Sequence, residues 1–66
     1  MRVHFDEQAD AIYIRLDESR VVDSHEVRPG IILDFNDEDQ IVGIEILRVK
    51  QRVPNANLKQ MLFEVA

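Results

Sequence analysis

Apolar and polar residues alternate along most of the chain, in short runs that polar turn residues separate. An alternation of period two is typical of β-strands that turn one face towards a core. The runs predict five strands, over residues 2–5, 11–16, 21–28, 31–35 and 41–49. The third is weak and charged, which is typical of an edge strand, and the short polar loop after residue 35 predicts an antiparallel hairpin between the last two.

The period changes towards the end of the sequence, from alternation to helical spacing. Asn55 can cap a helix, and Leu58, Leu62 and Val65 then recur with Met61 beside them. A helix of about three turns is marginal alone, so we expect it to dock on the sheet. The pattern therefore predicts an α+β fold: an antiparallel β-meander of four to five strands with one C-terminal helix packed on the sheet.

The most apolar stretch, IVGIEILRV, contains a glutamate, and the alternation explains why. Residues 42, 44 and 46 share one face of the predicted strand, and residues 43, 45 and 47 share the other. Glu45 is therefore out of phase with its neighbouring isoleucines and faces the other side of the sheet. A glycine within a strand permits close approach, so we expect Tyr13 on a neighbouring strand to cover Gly43.

The length of the chain raises the question of what stabilises it. With 66 residues it forms a single small domain, residues 1–66, and with no cysteine it has no disulfides. One helix covers only part of one sheet face, so the remaining apolar surface needs a partner. We therefore expect a homodimer or a protein partner. The residues expected at this interface are Tyr13, Ile32, Ile41, Gly43, Glu45 and Leu47.

The charge excludes other classes of partner. A formal net charge of −5 repels phosphate backbones, so we expect no nucleic-acid binding. No apolar run approaches the roughly 20 residues of a membrane span, and the first ten residues have no signal-peptide core. We therefore expect a cytoplasmic protein that does not bind membranes and carries no cofactor.

Carboxylates supply the alternative hypothesis, an enzyme. Asp6, Asp10, Asp34 and Glu45 could form a cluster that binds a metal or performs acid–base chemistry at a dimer interface. The competing interpretation is that Asp6 and Asp10 shape a turn by accepting backbone hydrogen bonds, which is the commoner role of aspartate. We favour the turn, because a small sheet protein with no nucleophile signature has little room for a catalytic pocket.

The segment DFNDED, residues 34–39, places oxygen ligands at Asp34, Asn36 and Glu38, a spacing that resembles part of a calcium loop. It lacks the central glycine and the bidentate glutamate of such loops and lies between two predicted strands. A solvated hairpin turn is therefore the favoured interpretation.

Two stretches, FDEQADAIYIRL and PGIILDFNDEDQIVGIEIL, resemble a family of short bacterial and archaeal proteins grouped as a domain of unknown function. The family's pattern is Asp-Ala-Leu-Tyr-Ile followed later by Gly-Ile-Glu-Ile-Leu; this chain matches the first at Asp10, Ala11, Tyr13 and Ile14 and the second throughout residues 43–47. In that family Asp-Gly is favoured where this chain has Glu38-Asp39. The resemblance implies a β-meander with a helix. Because some members look like the smaller partner of a two-gene pair, it also implies protein binding. We predict a non-enzymatic protein-binding or self-assembling module.

Overall fold

The computed structural model describes every residue, Met1–Ala66. It contains five strands and one short helix. Their bounds are β1 (Arg2–Asp6), β2 (Ala11–Arg15), β3 (Asp23–Arg28), β4 (Ile31–Phe35), β5 (Ile41–Ile46) and α1 (Val49–Arg52). The strands form one antiparallel sheet in the order β1-β2-β5-β4-β3. The five strands predicted from the alternation are confirmed, and the fold is mostly β.

The strand order corrects the prediction of a simple meander. The most apolar strand, β5, lies in the centre between β2 and β4 instead of at an edge. In the centre of the sheet both edges of β5 are hydrogen-bonded to neighbouring strands, which is the usual environment of an apolar strand. The charged strand β3 takes the far edge, as predicted, and the loop over residues 16–22 carries the chain across to it.

The predicted C-terminal helix is absent, which corrects the second part of the fold prediction. The only helix is the four-residue α1, and residues 53–66, here the C-terminal segment, contain turns but no helix. The apolar side chains of the C-terminal segment are not packed on the sheet: Met61, Leu62, Phe63 and Val65 are 63%, 73%, 67% and 82% exposed. A short amphipathic helix is marginal unless its apolar side packs against another surface, and these side chains remain largely exposed. No helical segment of the protein has the length and hydropathy that crossing a lipid bilayer requires.

The two faces of the sheet differ in chemistry. Cross-strand pairing places Val3, Ile14, Ile44 and Leu33 in one row and Phe5, Ile12, Ile46 and Ile31 in the next. These eight residues are called the apolar face. The opposite side is called the polar face and carries Arg15, Tyr13, Asp34, Ser24 and Glu45 among others.

The sheet has almost no core. The only buried apolar residues are Ala11, Val42 and Val49, and every residue of the apolar face remains partly or largely exposed. Stable domains bury such a face against a second layer of structure. This chain forms one layer and leaves the second side open.

Hydrogen bonds fix the loops at the β3 end of the sheet. Asn36 is 5% exposed; its amide oxygen accepts from the Glu38 and Gln40 backbone amides at 3.0 Å each. Its Nδ2 donates to the Ser19 hydroxyl at 3.1 Å and to the Gln40 side-chain oxygen at 2.9 Å. One side chain thus shapes the β4–β5 turn and holds the loop between β2 and β3. Asp39 supplies the left-handed residue of that turn, with φ 60°.

Candidate functional site

A chain of hydrogen bonds runs across the polar face. The Tyr13 hydroxyl donates to Asp34 Oδ2 at 3.0 Å, and the Ser24 hydroxyl donates to Asp34 Oδ1 at 2.6 Å. Arg15 Nη1 donates to the Tyr13 oxygen at 3.0 Å. The network links three strands, β2, β4 and β3, through side chains that all project from one side of the sheet.

Gly43 makes room for this network. A Cβ atom at this position would lie 2.7 Å from the Tyr13 hydroxyl oxygen and 2.8 Å from Asp34 Oδ2. Both distances are below van der Waals contact, so a side chain would displace the hydrogen bond. Tyr13 therefore covers Gly43 from the neighbouring strand, as the sequence predicts.

Arg15 supplies the positive charge of the network. Its hydrogen bond to Tyr13 raises the pKa of the guanidinium above its ordinary value, against the opposing effect of desolvation. The nearby carboxylates of Glu18 and Asp34 act in the same direction as the hydrogen bond. Arg15 also donates to the backbone oxygens of Asp17 and Ser19, which attaches the loop after β2 to the sheet.

The polar groups of the network are satisfied within the protein. Each Asp34 carboxylate oxygen accepts a neutral hydroxyl donor, and no buried side-chain polar atom of the protein lacks a hydrogen-bond partner. The network lies on an open sheet face, and the two shallow clefts of the molecule lie elsewhere, beside the C-terminal segment.

The carboxylates of the enzyme hypothesis lie apart and have separate roles. Asp6 accepts from the Gln8 and Ala9 backbone amides at 3.1 Å, which is the turn role. Asp10 accepts from the Lys50 amide through both carboxylate oxygens at 3.1 Å, and its backbone oxygen accepts from Val49 at 3.0 Å.

Register separates Asp6 from Asp34. Asp6 is paired with Ala11 at one end of the sheet, whereas Asp34 is level with Arg15, near the other end of β2. Glu45 lies between Tyr13 and Ile32 and has no side-chain hydrogen bond or ion pair; neither Arg15 nor Arg48 pairs with it. No three His, Asp or Glu side chains come close enough to hold a metal ion.

The structure also locates the DFNDED segment. It is a hairpin connection between β4 and β5, and the oxygen of Asn36 is occupied by the backbone amides of its own turn. Asp34 faces the network and not the turn. The oxygen atoms of Asp34, Asn36 and Glu38 are therefore not directed at one point where they could bind a calcium ion together.

Most of the interface residues expected from the sequence do share one surface. Tyr13, Glu45 and Ile32 form one cross-strand row, Gly43 lies two residues before Glu45 in β5, and Leu47 directly follows the end of that strand. Ile41 is the exception: the pairing shifts at the bulge near Val42, and its side chain is 44% exposed at the end of β5. The sequence missed the Asp10–Lys50 contact, because 40 residues separate the partners and no local pattern connects them.

Comparison with known proteins gives the family of the chain and no more specific relative. No curated protein and no solved structure matches the sequence. One family model does match, over residues 2–50, and its description is "Protein of unknown function (DUF2283)". The matched segment includes all five strands. Because it covers roughly three quarters of the sequence, the chain belongs to the DUF2283 family of proteins of unknown function.

Proposed function

We propose that this protein is a self-associating, non-enzymatic module whose apolar face is covered by the apolar face of a second copy. The observation that carries the proposal is an apolar sheet face that stays at least partly exposed, in a chain with only three buried apolar residues. Packing two such faces about 10 Å apart gives a β-sandwich, in which both sheets acquire the missing second layer.

The chemistry of the apolar face supports this arrangement. None of its eight residues is charged, whereas charged residues make up 32% of the whole chain. Interface centres are depleted of charge in the same way. On this side of the sheet the charged side chain of Asp23 lies at the β3 edge, hydrogen-bonded to His25, so two acidic copies can meet through the eight apolar residues with like charges kept to that edge.

A β-sandwich dimer of this kind is incompatible with the alternative function, an enzyme whose carboxylate site forms at the dimer interface. When the apolar faces meet, the polar faces of the two copies point away from each other. Asp34 and Glu45 of one copy then cannot join those of the second copy. A carboxylate site at the dimer interface and a dimer through the apolar face are mutually exclusive.

Neighbouring residues of β5 provide a matched test. Ile44 lies on the apolar face, and Glu45 lies on the polar face. Ile44→Lys places a charge within the proposed interface and is expected to abolish the dimer in sedimentation experiments. Glu45→Lys introduces the same side chain one residue away and is expected to preserve it. Equal dimerisation of the two variants, with folding checked by circular dichroism, would contradict the proposal.

The polar face is the second candidate surface, for a different protein partner. Ile32 is partly exposed there in the same cross-strand row as Tyr13, and tyrosine is enriched at interfaces. Ile32→Lys is expected to leave self-association unchanged and to abolish binding of such a partner. A loss of self-association in this variant would assign the dimer to the polar face instead.

A further inference from the structure

Two arginine side chains meet above Gly30, in the turn between β3 and β4. Gly30 is buried and has a positive φ of 81°. A Cβ atom at Gly30 would lie 2.7 Å from Arg48 Nη2 and nearer still to Arg52 Nη2. The two nitrogen atoms are therefore separated by less than twice 2.7 Å, so two positively charged groups share one point of the surface.

Neither of these guanidinium groups has a negatively charged partner in the protein. All the ion pairs of the chain are formed by other basic residues. Two like charges this close repel each other, and an anion beside them removes the repulsion. Because the chain has 13 acidic residues against 8 lysines and arginines, an arginine pair without a carboxylate is unexpected.

The two arginines are held in place while most of their donors stay free. Arg52 Nε donates to the Leu47 oxygen at 2.8 Å and its Nη2 donates to the Pro29 oxygen, which leaves its other N–H groups free. The remaining arginine hydrogen bonds of the chain belong to Arg2 and Arg15, and none to Arg48. Arg48 also has a left-handed φ of 54°, and strained positions of this kind are concentrated at ligand sites.

We propose that Arg48 and Arg52 bind the phosphate group of a small anionic ligand. Two guanidinium groups match the two negative charges of a phosphate, and arginine forms paired hydrogen bonds with its oxygen atoms. Gly30 leaves the space that the pair occupies, because a side chain there would displace both guanidinium groups.

The acidic charge of the chain does not prevent this binding. Exposed charges are screened over about 8 Å at physiological ionic strength, so a single phosphate group responds mainly to the charges beside it. A nucleic-acid backbone, in contrast, would extend along the acidic surface of the protein. The arginine pair is therefore suited to one phosphate group and not to a polynucleotide.

Titration of the native chain with inorganic phosphate, at constant ionic strength, tests the site. Backbone amide NMR shifts that saturate are expected at Gly30, Arg48 and Arg52. Acetate, which carries a single negative charge, is expected to bind more weakly. The absence of saturable shifts at these amides, or acetate that binds as tightly as phosphate, would overturn the inference.

Two arginine variants provide the matched comparison. Arg48→Asn removes one guanidinium group and suits the backbone, because asparagine tolerates a left-handed φ. Arg20→Asn removes the same charge from an exposed loop at the opposite end of the sheet, where Arg20 forms no ion pair. The dissociation constant for phosphate is expected to rise about tenfold or more in Arg48→Asn and to stay within about twofold in Arg20→Asn. Equal weakening in the two folded variants would show an effect of net charge alone and would also overturn the inference.

Glycerol 3-phosphate distinguishes the two sources of the phosphate group. If it binds more tightly than inorganic phosphate, the ligand is a phosphate ester whose organic part also contacts the protein. If the two bind equally, the site recognises the phosphate group alone; both results support the site. The titration does not depend on the oligomeric state, so its failure leaves the proposed self-association untouched.

Discussion

Gly43 shows how a single residue determines the chemistry of the polar face. It lies in an extended strand without a left-handed backbone, so its role is to leave space and not to permit an unusual φ angle. The hydroxyl of Tyr13 and the carboxylate of Asp34 occupy that space and form their hydrogen bond over it. The strand glycine is therefore explained by the side chains around it.

Gly43→Ala is expected to destabilise the protein by about 1–2 kcal/mol, because the new Cβ displaces the Tyr13–Asp34 hydrogen bond. Tyr13→Phe removes the same bond and is expected to cost about 1 kcal/mol. The double variant should cost clearly less than the sum of the two, since both remove one interaction. Urea denaturation gives the free energy of unfolding of the native protein, the two single variants and the double variant. Strictly additive losses would contradict the assigned contact.

Asn36 is a second residue whose structural role follows from its hydrogen bonds. Asn36→Ala removes a buried side chain with four hydrogen bonds and is expected to cost about 2–3 kcal/mol. Asn36→Asp is the matched control. It keeps the acceptor for the two backbone amides, and Ser19 and Gln40 can turn their own donors towards it. In urea denaturation the native chain should be the most stable, Asn36→Asp intermediate and Asn36→Ala the least stable. An Asn36→Asp variant as unstable as Asn36→Ala would show that the hydrogen bonds donated by Nδ2 contribute most of the stability.

At the scale of elements, the contact that joins the β1–β2 turn to α1 links residues that are distant in sequence, Asp10 and Lys50. Asp10 lies in the β1–β2 turn with a left-handed φ of 54° and caps the backbone of α1. The helix has no side-chain cap of its own at Arg48. The turn and the helix are therefore one structural unit at this end of the sheet.

Asp10→Ala is expected to cost about 1–2 kcal/mol, because it removes the acceptor for the Lys50 amide and places alanine at a left-handed position. Asp10→Asn keeps an acceptor and tolerates the same backbone, so it should retain most of the stability. Hydrogen exchange at the Lys50 amide measures the contact itself. Unchanged exchange in the alanine variant would contradict the cap.

Asp17 gives the loop after β2 a dependence on pH. Hydrogen bonds from Ser19, first from its side chain and then from its backbone amide, lower the pKa of the Asp17 carboxyl below its ordinary value of 3.8. A lowered pKa means that the ionised form is favoured in the folded state. This contribution is therefore present above pH 3.8 and is lost as the pH falls through the lower, folded-state pKa.

Asp17→Asn removes that titration, so the variant should lose less stability than the native chain when the pH is lowered from neutral to below 3.8. Ser19→Ala removes one of the hydrogen bonds to the Asp17 carboxylate. This variant should therefore avoid only part of the stability loss that the native chain shows when the pH is lowered. Urea midpoints across this pH range measure the effect. Parallel curves for the native and Asp17→Asn chains would rule out the proposed role of the carboxylate.

The elements also show what the sequence could and could not predict. Alternation located all five strands, placed charged β3 at an edge and put Gly43 beneath Tyr13, because these depend on local period and cross-strand neighbours. It could not place β5 in the centre, since strand order is a property of the whole sheet. It predicted a helix from the spacing of Leu58 and Leu62, but a helix of that length forms only where it can dock.

At the scale of the molecule, the central feature is a sheet with one side unpaired. Only Ala11, Val42 and Val49 are buried apolar residues in a chain that is 45% hydrophobic. The sequence led to the expectation of a partner on the surface around Tyr13, because one helix could cover only part of one sheet face. The structure has no helix over either face, so both sides of the sheet become candidate interfaces.

The oligomeric state of the native chain tests the central claim most directly. Sedimentation equilibrium of the unmodified protein, from nanomolar to high micromolar concentration, should give twice the monomer mass at micromolar concentration and dissociation on dilution. Self-association through the apolar face predicts this result, because a second copy would supply the missing layer. A monomer mass at every concentration, with the sheet folded, would contradict it.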